Sequence, residues 1–324
     1  MLHVNSSRPT AEPASLAACL HALLEDIKDG HSYDEIISLL GVGAAVIAVP
    51  DRCVGRWCEY AQDAALLDTA GLLGLRLRAM HPPHAAAALE DSAEFAGHYR
   101  DSYLPLMEEA VRSGQKLLVW RGWPAPAEHS WGIIKDHDER GLIGNPDSGT
   151  ELIPFTGPAL QVYTVEDIHS PPPDRQTATT HFEHTRRIAM TFWYGQLPLG
   201  NGILSGPPAY NAWRAALHTS PANNCTPTCY VSLAKVLHAR RRSLTTWLRD
   251  IAPGLADRQR HAASAWADAC TDIIKQLELL TDATEVAALM DTPAGRQQLS
   301  ATIESIERCE ADLMTRLPNT MPGE

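Results

Sequence analysis

No stretch of this sequence is both long and apolar enough to span a bilayer. Positive charge is also scarce: 27 Lys and Arg stand against 39 Asp and Glu, a formal net charge of −12 at pH 7. That balance argues against a general nucleic-acid binder, whose surface must attract phosphates and release their counterions. The one cationic run, Arg240, Arg241 and Arg242, falls inside a helical pattern and reads as a solvated or salt-bridged helix face. Glycine-rich phosphate loops of either common type are missing. The opening MLHVNSSRPTAEP has no charged-then-apolar secretory profile. Cysteine is sparse, with seven in 324 residues, an odd number in a chain long enough to hold a core without staples. Reduced thiols and a cytoplasmic location are therefore expected.

The residues present are those of an ordinary folded protein, 44% hydrophobic and 20% charged, with length for two domains. Apolar residues at helical spacing predict a helix over residues 16–28, and Ser32 with Glu35 forms a capping box for another over 33–40. A short strand is expected at 45–49, a helix at 59–73, a strand at 75–80 and a helix at 103–113 that stops at Gly114. From there the period becomes that of strands, at 116–120, 129–135, 141–144, 151–155 and 160–165, parted by turn signals. Helices first and strands afterwards predict an α+β arrangement with an antiparallel sheet rather than a doubly wound one. A proline-rich linker at 169–177 separates this domain, 1–168, from an all-α helical bundle, 178–324, in which no strand is expected.

The set with most chemical content is Cys19 in SLAACLHALL, His129 in EHSWGII and Asn145 in LIGNPDSG. A thiol attacks acyl carbon as thiolate, which a helix N-terminus and a nearby imidazole both favour. The imidazole needs a third group to fix its tautomer, and an Asn oxygen can supply it. Asp138 or Asp147 are alternative orienters. The structural reading of the same residues is a buried packing thiol, a strand-edge histidine and a turn former.

The order of these parts (cysteine, helix ending at Gly30, second helix, the LLGVGAAVIAV break, strand with His, strand with Asn-Pro) resembles the papain-like fold of bacteriocin-processing cysteine peptidases. It is closer to the family of N-terminal domains typified by butirosin biosynthesis protein H. The resemblance covers residues 15–167 and implies Cys19 as nucleophile, His129 as base and Asn145 as orienter. It departs from that family in the apolar residues that flank Cys19. The implied activity is cysteine-dependent acyl transfer, from an acyl thioester on a small molecule or carrier protein to an amine, or hydrolysis, with no cofactor. The backbone N–H of Cys19 would hold the oxyanion. A catalytically inactive member that binds a small molecule or protein is the alternative.

Other clusters carry rival readings. His181, His184, Cys225 and Cys229 have spacings that suit zinc only if all four converge. Cys53 and Cys58 are too loosely spaced for a redox pair, and Cys270 and Cys309 fall on helices as packing residues. The segment that begins His81-Pro82-Pro83-His84 is long enough to act as a lid. Trp120, Trp123 and Trp131 are expected to be mostly core, with one ring free to wall an acyl pocket.

Overall fold

Fold formation begins with local signals that the chain carries at its helix starts. The computed structural model describes residues 14–25, 31–48, 63–80, 93–128, 130–146, 149, 151–169, 177–195, 203–218 and 227–317. The first half runs α1 (Ser15–Leu24), α2 (Tyr33–Leu39), β1 (Ile47–Ala48), α3 (Asp63–Leu72), β2 (Leu75–Ala79), α4 (Ala93–His98) and α5 (Leu104–Arg112). A π-helical turn, Tyr99–Tyr103, joins α4 to α5. Five strands follow: β3 (Lys116–Trp120), β4 (Trp131–Asp138), β5 (Gly141–Pro146), β6 (Ile153–Pro154) and β7 (Gln161–Ile168). The second half has α6 (Thr177–Trp193), β8 (Leu204–Ser205), α7 (Pro207–Ala216), α8 (Pro227–Ile251), α9 (Asp257–Glu278), α10 (Ala283–Met290) and α11 (Pro293–Arg316).

Side-chain caps start several of these helices. Ser32 Oγ accepts from the Glu35 N–H at 3.1 Å, the serine half of the expected capping box, while the Glu35 carboxylate is turned to His31 and His181 instead. Asp282 accepts from the N–H groups of Thr284 and Glu285 to start α10, and Thr292 accepts from Gly295 to start α11, with Pro293 at its first turn.

Six strands form one antiparallel sheet in the order β2-β7-β3-β4-β5-β6. Strand alternation sorts the sheet's side chains into two cores. Leu118, Trp120, Trp131, Ile133, Tyr163 and Val165 pack with residues of α1, α2 and α3 on one face. Leu117, Val119, Ile134, Leu142 and Val162 pack with Tyr99, Tyr103, Met107 and Val111 on the other. The mixed α+β class with an antiparallel sheet is as expected.

The second half departs from its expected all-α character. Leu204 and Ser205 pair antiparallel with Ala48 and Ile47, so β1 finds its partner across the chain as β8. The reason is geometric: a two-residue strand has almost no periodicity to read, and only its partner defines it. Helix α10 falls between the helices that apolar spacing predicts at 255–280 and 293–316. The two halves share their packing. Ile188, Phe192 and Ile203 join the core beneath the sheet, and Ala44, Val46 and Ala48 join the core of the helices. Of the expected linker, residues 170–176 lie outside the described residues, and Thr177 already begins α6.

The arginine run is not a solvated face. Arg240 and Arg241 are buried and Arg242 is exposed. Arg241 Nε donates to Glu310 Oε1 at 2.9 Å, while its Nη1 and Nη2 donate to the carbonyls of Gly43 and Ala44. A guanidinium tolerates burial only with its donors matched in this way, and α8 thereby holds both α11 and the turn before β1.

Candidate functional site

The polar groups with most chemical interest gather where α1 opens onto the sheet. Ala14, extended at φ −151° and ψ 98°, is the residue before α1 and has no side chain with which to cap it. Tyr33 fixes this point: its hydroxyl accepts from the Ala14 N–H at 3.3 Å. Ser15 is the first helical residue, and its Oγ accepts from the Trp131 N–H at 2.9 Å across a sequence separation of 116. That bond ties the mouth of α1 to the start of β4. Ala14 gives α1 no side-chain cap, and the positive end of the helix dipole lies at the same place.

Beyond Trp131 the sheet face carries a cross-strand row. Trp131 lies opposite Trp120, which lies opposite Gln161. The indoles of Trp120 and Trp131 stack at 6.3 Å, and Trp131 stacks on Tyr163 at 6.1 Å. Gln161 Nε2 donates to Asp63 Oδ1 at 3.0 Å, and the Tyr163 hydroxyl donates to the same oxygen. Asp63 is the first residue of α3. Two helix mouths, those of α1 and α3, therefore meet one end of the sheet, two strand spacings or about 10 Å apart.

Asn145 sits on this face as well, opposite Ile133 on β5 and 1% exposed. Its Nδ2 donates to the Glu151 carbonyl at 2.5 Å. The amide nitrogen is thus committed, and the oxygen is the end that can accept a proton donor.

Cys19 does not occupy the helix mouth. It lies one turn inside α1, 0% exposed, in a core with Leu16, Leu20, Trp131 and Ile133. The N–H of a residue one turn into a helix is spent on the carbonyl four residues earlier, so it is not an oxyanion donor. The helix begins one residue before the expected position, and all of its first turn precedes the thiol. His129 lies outside the described residues, as do Asp147, Cys53, Cys58, Cys225 and the segment 81–92. Asp138 is exposed at the far end of β4 and accepts from the Arg140 N–H at 2.7 Å, a turn contact remote from Trp131.

The zinc reading is not supported. Among the described residues no group of three or more His, Cys, Asp or Glu side chains is placed to hold a metal. Cys229 is disulfide-bonded, against the expectation of reduced thiols throughout. His181 Nδ1 bonds Glu35 Oε1 at 2.8 Å, and His31 Nδ1 bonds the other carboxylate oxygen at 2.9 Å. Burial works to raise the Glu35 pKa, but these two histidine hydrogen bonds overcome it and hold the group at about 2. His184 bonds the Leu39 carbonyl and Thr69, not a metal-like group. Burial pushes the Cys270 thiol up to about 12, which suits a packing residue. A cleft of about 360 Å³ lies between β2 and α5, next to Arg78, Met80, Leu106 and Glu109, on the sheet face away from α1.

Trp120, Trp123 and Trp131 are all buried, Trp123 on the opposite face against Phe155. No helix among the described residues is long and apolar enough to cross a membrane. The sequence matches no protein-family model and no curated protein.

Proposed function

We propose that the chain is an acyl-transfer or hydrolytic enzyme of papain-like architecture, working where the first turn of α1 meets the start of β4. The observation that carries this reading is the 2.9 Å bond from Trp131 N–H to Ser15 Oγ, which ties the N-terminal end of α1 to the start of a strand. The positive end of a helix dipole suits the oxyanion that forms when acyl carbon is attacked. Asn145, with its nitrogen anchored on Glu151 and its oxygen left to accept, suits the orienting of an imidazole. His129, two residues before Trp131 in sequence, is the base in this proposal. The acyl donor is a thioester or ester on a small molecule or carrier protein, and the acceptor is an amine or water. The helical half shapes the substrate site or docks the carrier.

The test is turnover of simple acyl thioesters by the full chain, with and without a primary amine, followed by mass spectrometry of the products. Asn145→Ala and His129→Ala are each expected to lower turnover by about 10²- to 10⁴-fold. Wild-type rates equal to the buffer blank would sink the proposal.

A second reading is a non-catalytic protein that keeps this fold to bind a small molecule or partner. It draws on burial: Ser15 is 5% exposed and Cys19 is 0% exposed. Saturable thioester binding without turnover would favour it.

A further inference from the structure

The two edges of the six-stranded sheet differ. At one edge β6 is only Ile153 and Pro154, and a proline has no N–H to offer a further strand. β2 forms the other edge, five residues long, and pairs with β7 alone. The ladder shows which of its backbone groups are committed. Met80 N–H donates to the Val162 carbonyl at 2.8 Å, one step past the pairing of Ala79 with Tyr163. In an antiparallel ladder this makes Ala79 and Tyr163 a non-hydrogen-bonded pair, and Leu77 with Val165 another. The N–H and C=O groups of Leu77 and Ala79 therefore point away from β7, and no strand among the described residues meets them.

Alternation gives this edge two unlike faces. Leu75, Leu77 and Ala79 pack into the core that holds α1, while Arg76, Arg78 and Met80 take the opposite face. The Arg76 and Arg78 side chains are 65% and 57% exposed and share one carboxylate, that of Glu166, at 3.3 and 2.7 Å. Two guanidiniums on one carboxylate leave a positive charge over, on a chain whose net charge is −12. Beside them runs the cleft of about 360 Å³, where Arg78 and Met80 face Leu106 and Glu109 of α5. Leu106 is 55% exposed there, and Glu109 is turned to Arg112 at 3.9 Å.

We infer that the β2 edge docks an extended, acidic segment of a partner protein, which adds to the sheet as a further strand. Its backbone bonds Leu77 and Ala79, and its carboxylates lie beside Arg76 and Arg78. An apolar side chain on the same face of the segment enters the cleft over Met80 and Leu106. Strand side chains alternate, so the matching pattern is Glu-Val-Glu-Val-Leu or its reverse, according to strand direction. Charge disfavours a second copy of this chain as the occupant, because two β2 edges would set arginine against arginine. The strip lies across the sheet from α1 and stands independently of the acyl-transfer reading.

The test uses the full chain and fluorescein-labelled peptides built around Glu-Val-Glu-Val-Leu, its reverse, and versions with Lys for Glu, read by fluorescence anisotropy. Saturable binding of one acidic peptide is expected, at least about tenfold tighter than its Lys version and weakened by salt. Ala79→Pro removes the outward N–H and leaves the β7 ladder intact, a place where an edge strand accepts proline. It is expected to keep the wild-type circular dichroism spectrum and to bind at least about tenfold more weakly. Arg76→Glu combined with Arg78→Glu is expected to weaken binding to a similar extent, and carries the test should Ala79→Pro misfold. Hydrogen exchange at the Leu77 and Ala79 amides is expected to slow in the complex. Equal affinity for acidic and Lys peptides, or for wild type and a folded Ala79→Pro, overturns the assignment. So does a wild-type chain that binds no peptide, since Arg76 and Arg78 then serve only to keep other strands off the edge. A concentration-dependent dimer, seen by analytical ultracentrifugation and lost in Ala79→Pro, overturns the acidic partner in favour of a second copy.

Discussion

Arg187 donates from Nη2 to the Nδ1 of His184 at 3.1 Å, while the other nitrogen of the same ring, Nε2, meets the Leu39 carbonyl at 3.1 Å. A carbonyl takes only a donor, so Nε2 carries the proton and Nδ1 offers its lone pair to the guanidinium. The ring is thus held neutral between a donor and an acceptor. Burial first, and then the Arg187 charge, depress its pKa from 6.5 to about 4.

The sign of the resulting pH dependence follows from proton counting. Between those two values the unfolded chain binds a proton at His184 that the folded chain refuses. The stability it contributes is complete above 6.5 and is lost as pH falls towards 4, by on the order of 3 kcal/mol. His184→Gln, which keeps a donor near Leu39 without titrating, is expected to flatten the fall in urea midpoint over that window. Identical pH profiles for the two proteins would contradict it.

Glu35 makes the complementary prediction on the acid side. Its carboxylate is held at about 2 instead of 4.5. The stability it contributes is therefore present above 4.5 and lost as pH falls from 4.5 towards 2. Glu35→Gln removes the charge that receives His31 and His181, and is expected to cost about 1–3 kcal/mol near neutral pH. The variant should also have a shallower acid limb below 4.5, measured by the same unfolding series. A variant as stable as wild type near neutrality would show that the two histidine bonds carry no net stability.

Arg241 and Glu310 are each about nine-tenths or more buried and face each other. Arg241→Met leaves a buried carboxylate uncompensated and two carbonyls without their donor, and is expected to cost about 3–5 kcal/mol. Arg241→Met with Glu310→Leu removes both charges, and the double variant is expected to recover part of that loss. A double variant as unstable as the sum of its singles would mean that the pair is not coupled.

Cys19→Ala trims one buried sulfur from the core beneath the sheet. The expected cost is about 1–2 kcal/mol in unfolding free energy, and turnover per folded molecule is lost only where the thiol reacts. Measured together, unfolding and activity separate a packing thiol from a reacting one.

The α+β class, the strand succession from residue 116 onward, the cap at Ser32 and the long helices of the second half were legible in the sequence. Each is written in local spacing, which backbone geometry converts directly into a helix or strand. The start of α1 is a similar local matter, expected at residue 16 and found at Ser15, which leaves Cys19 just past the first turn. What local spacing lacks is the identity of the partner. It could mark Arg240–Arg242 as a charged run on a helix, but only α11 and the turn at Gly43 decided that Arg241 is buried and matched. It could pair His181 with His184 by interval, but α2 and α3 decided that one meets Glu35 and the other Thr69 and Leu39.

The sequence by itself therefore determined which segments coil, which extend and where most of them begin, because those choices are settled by hydrogen bonds within a few residues. The tertiary structure alone decided that Ser15 at the start of α1 would meet Trp131, and that β1 would wait for β8, because both depend on surfaces that are more than a hundred residues apart in the chain.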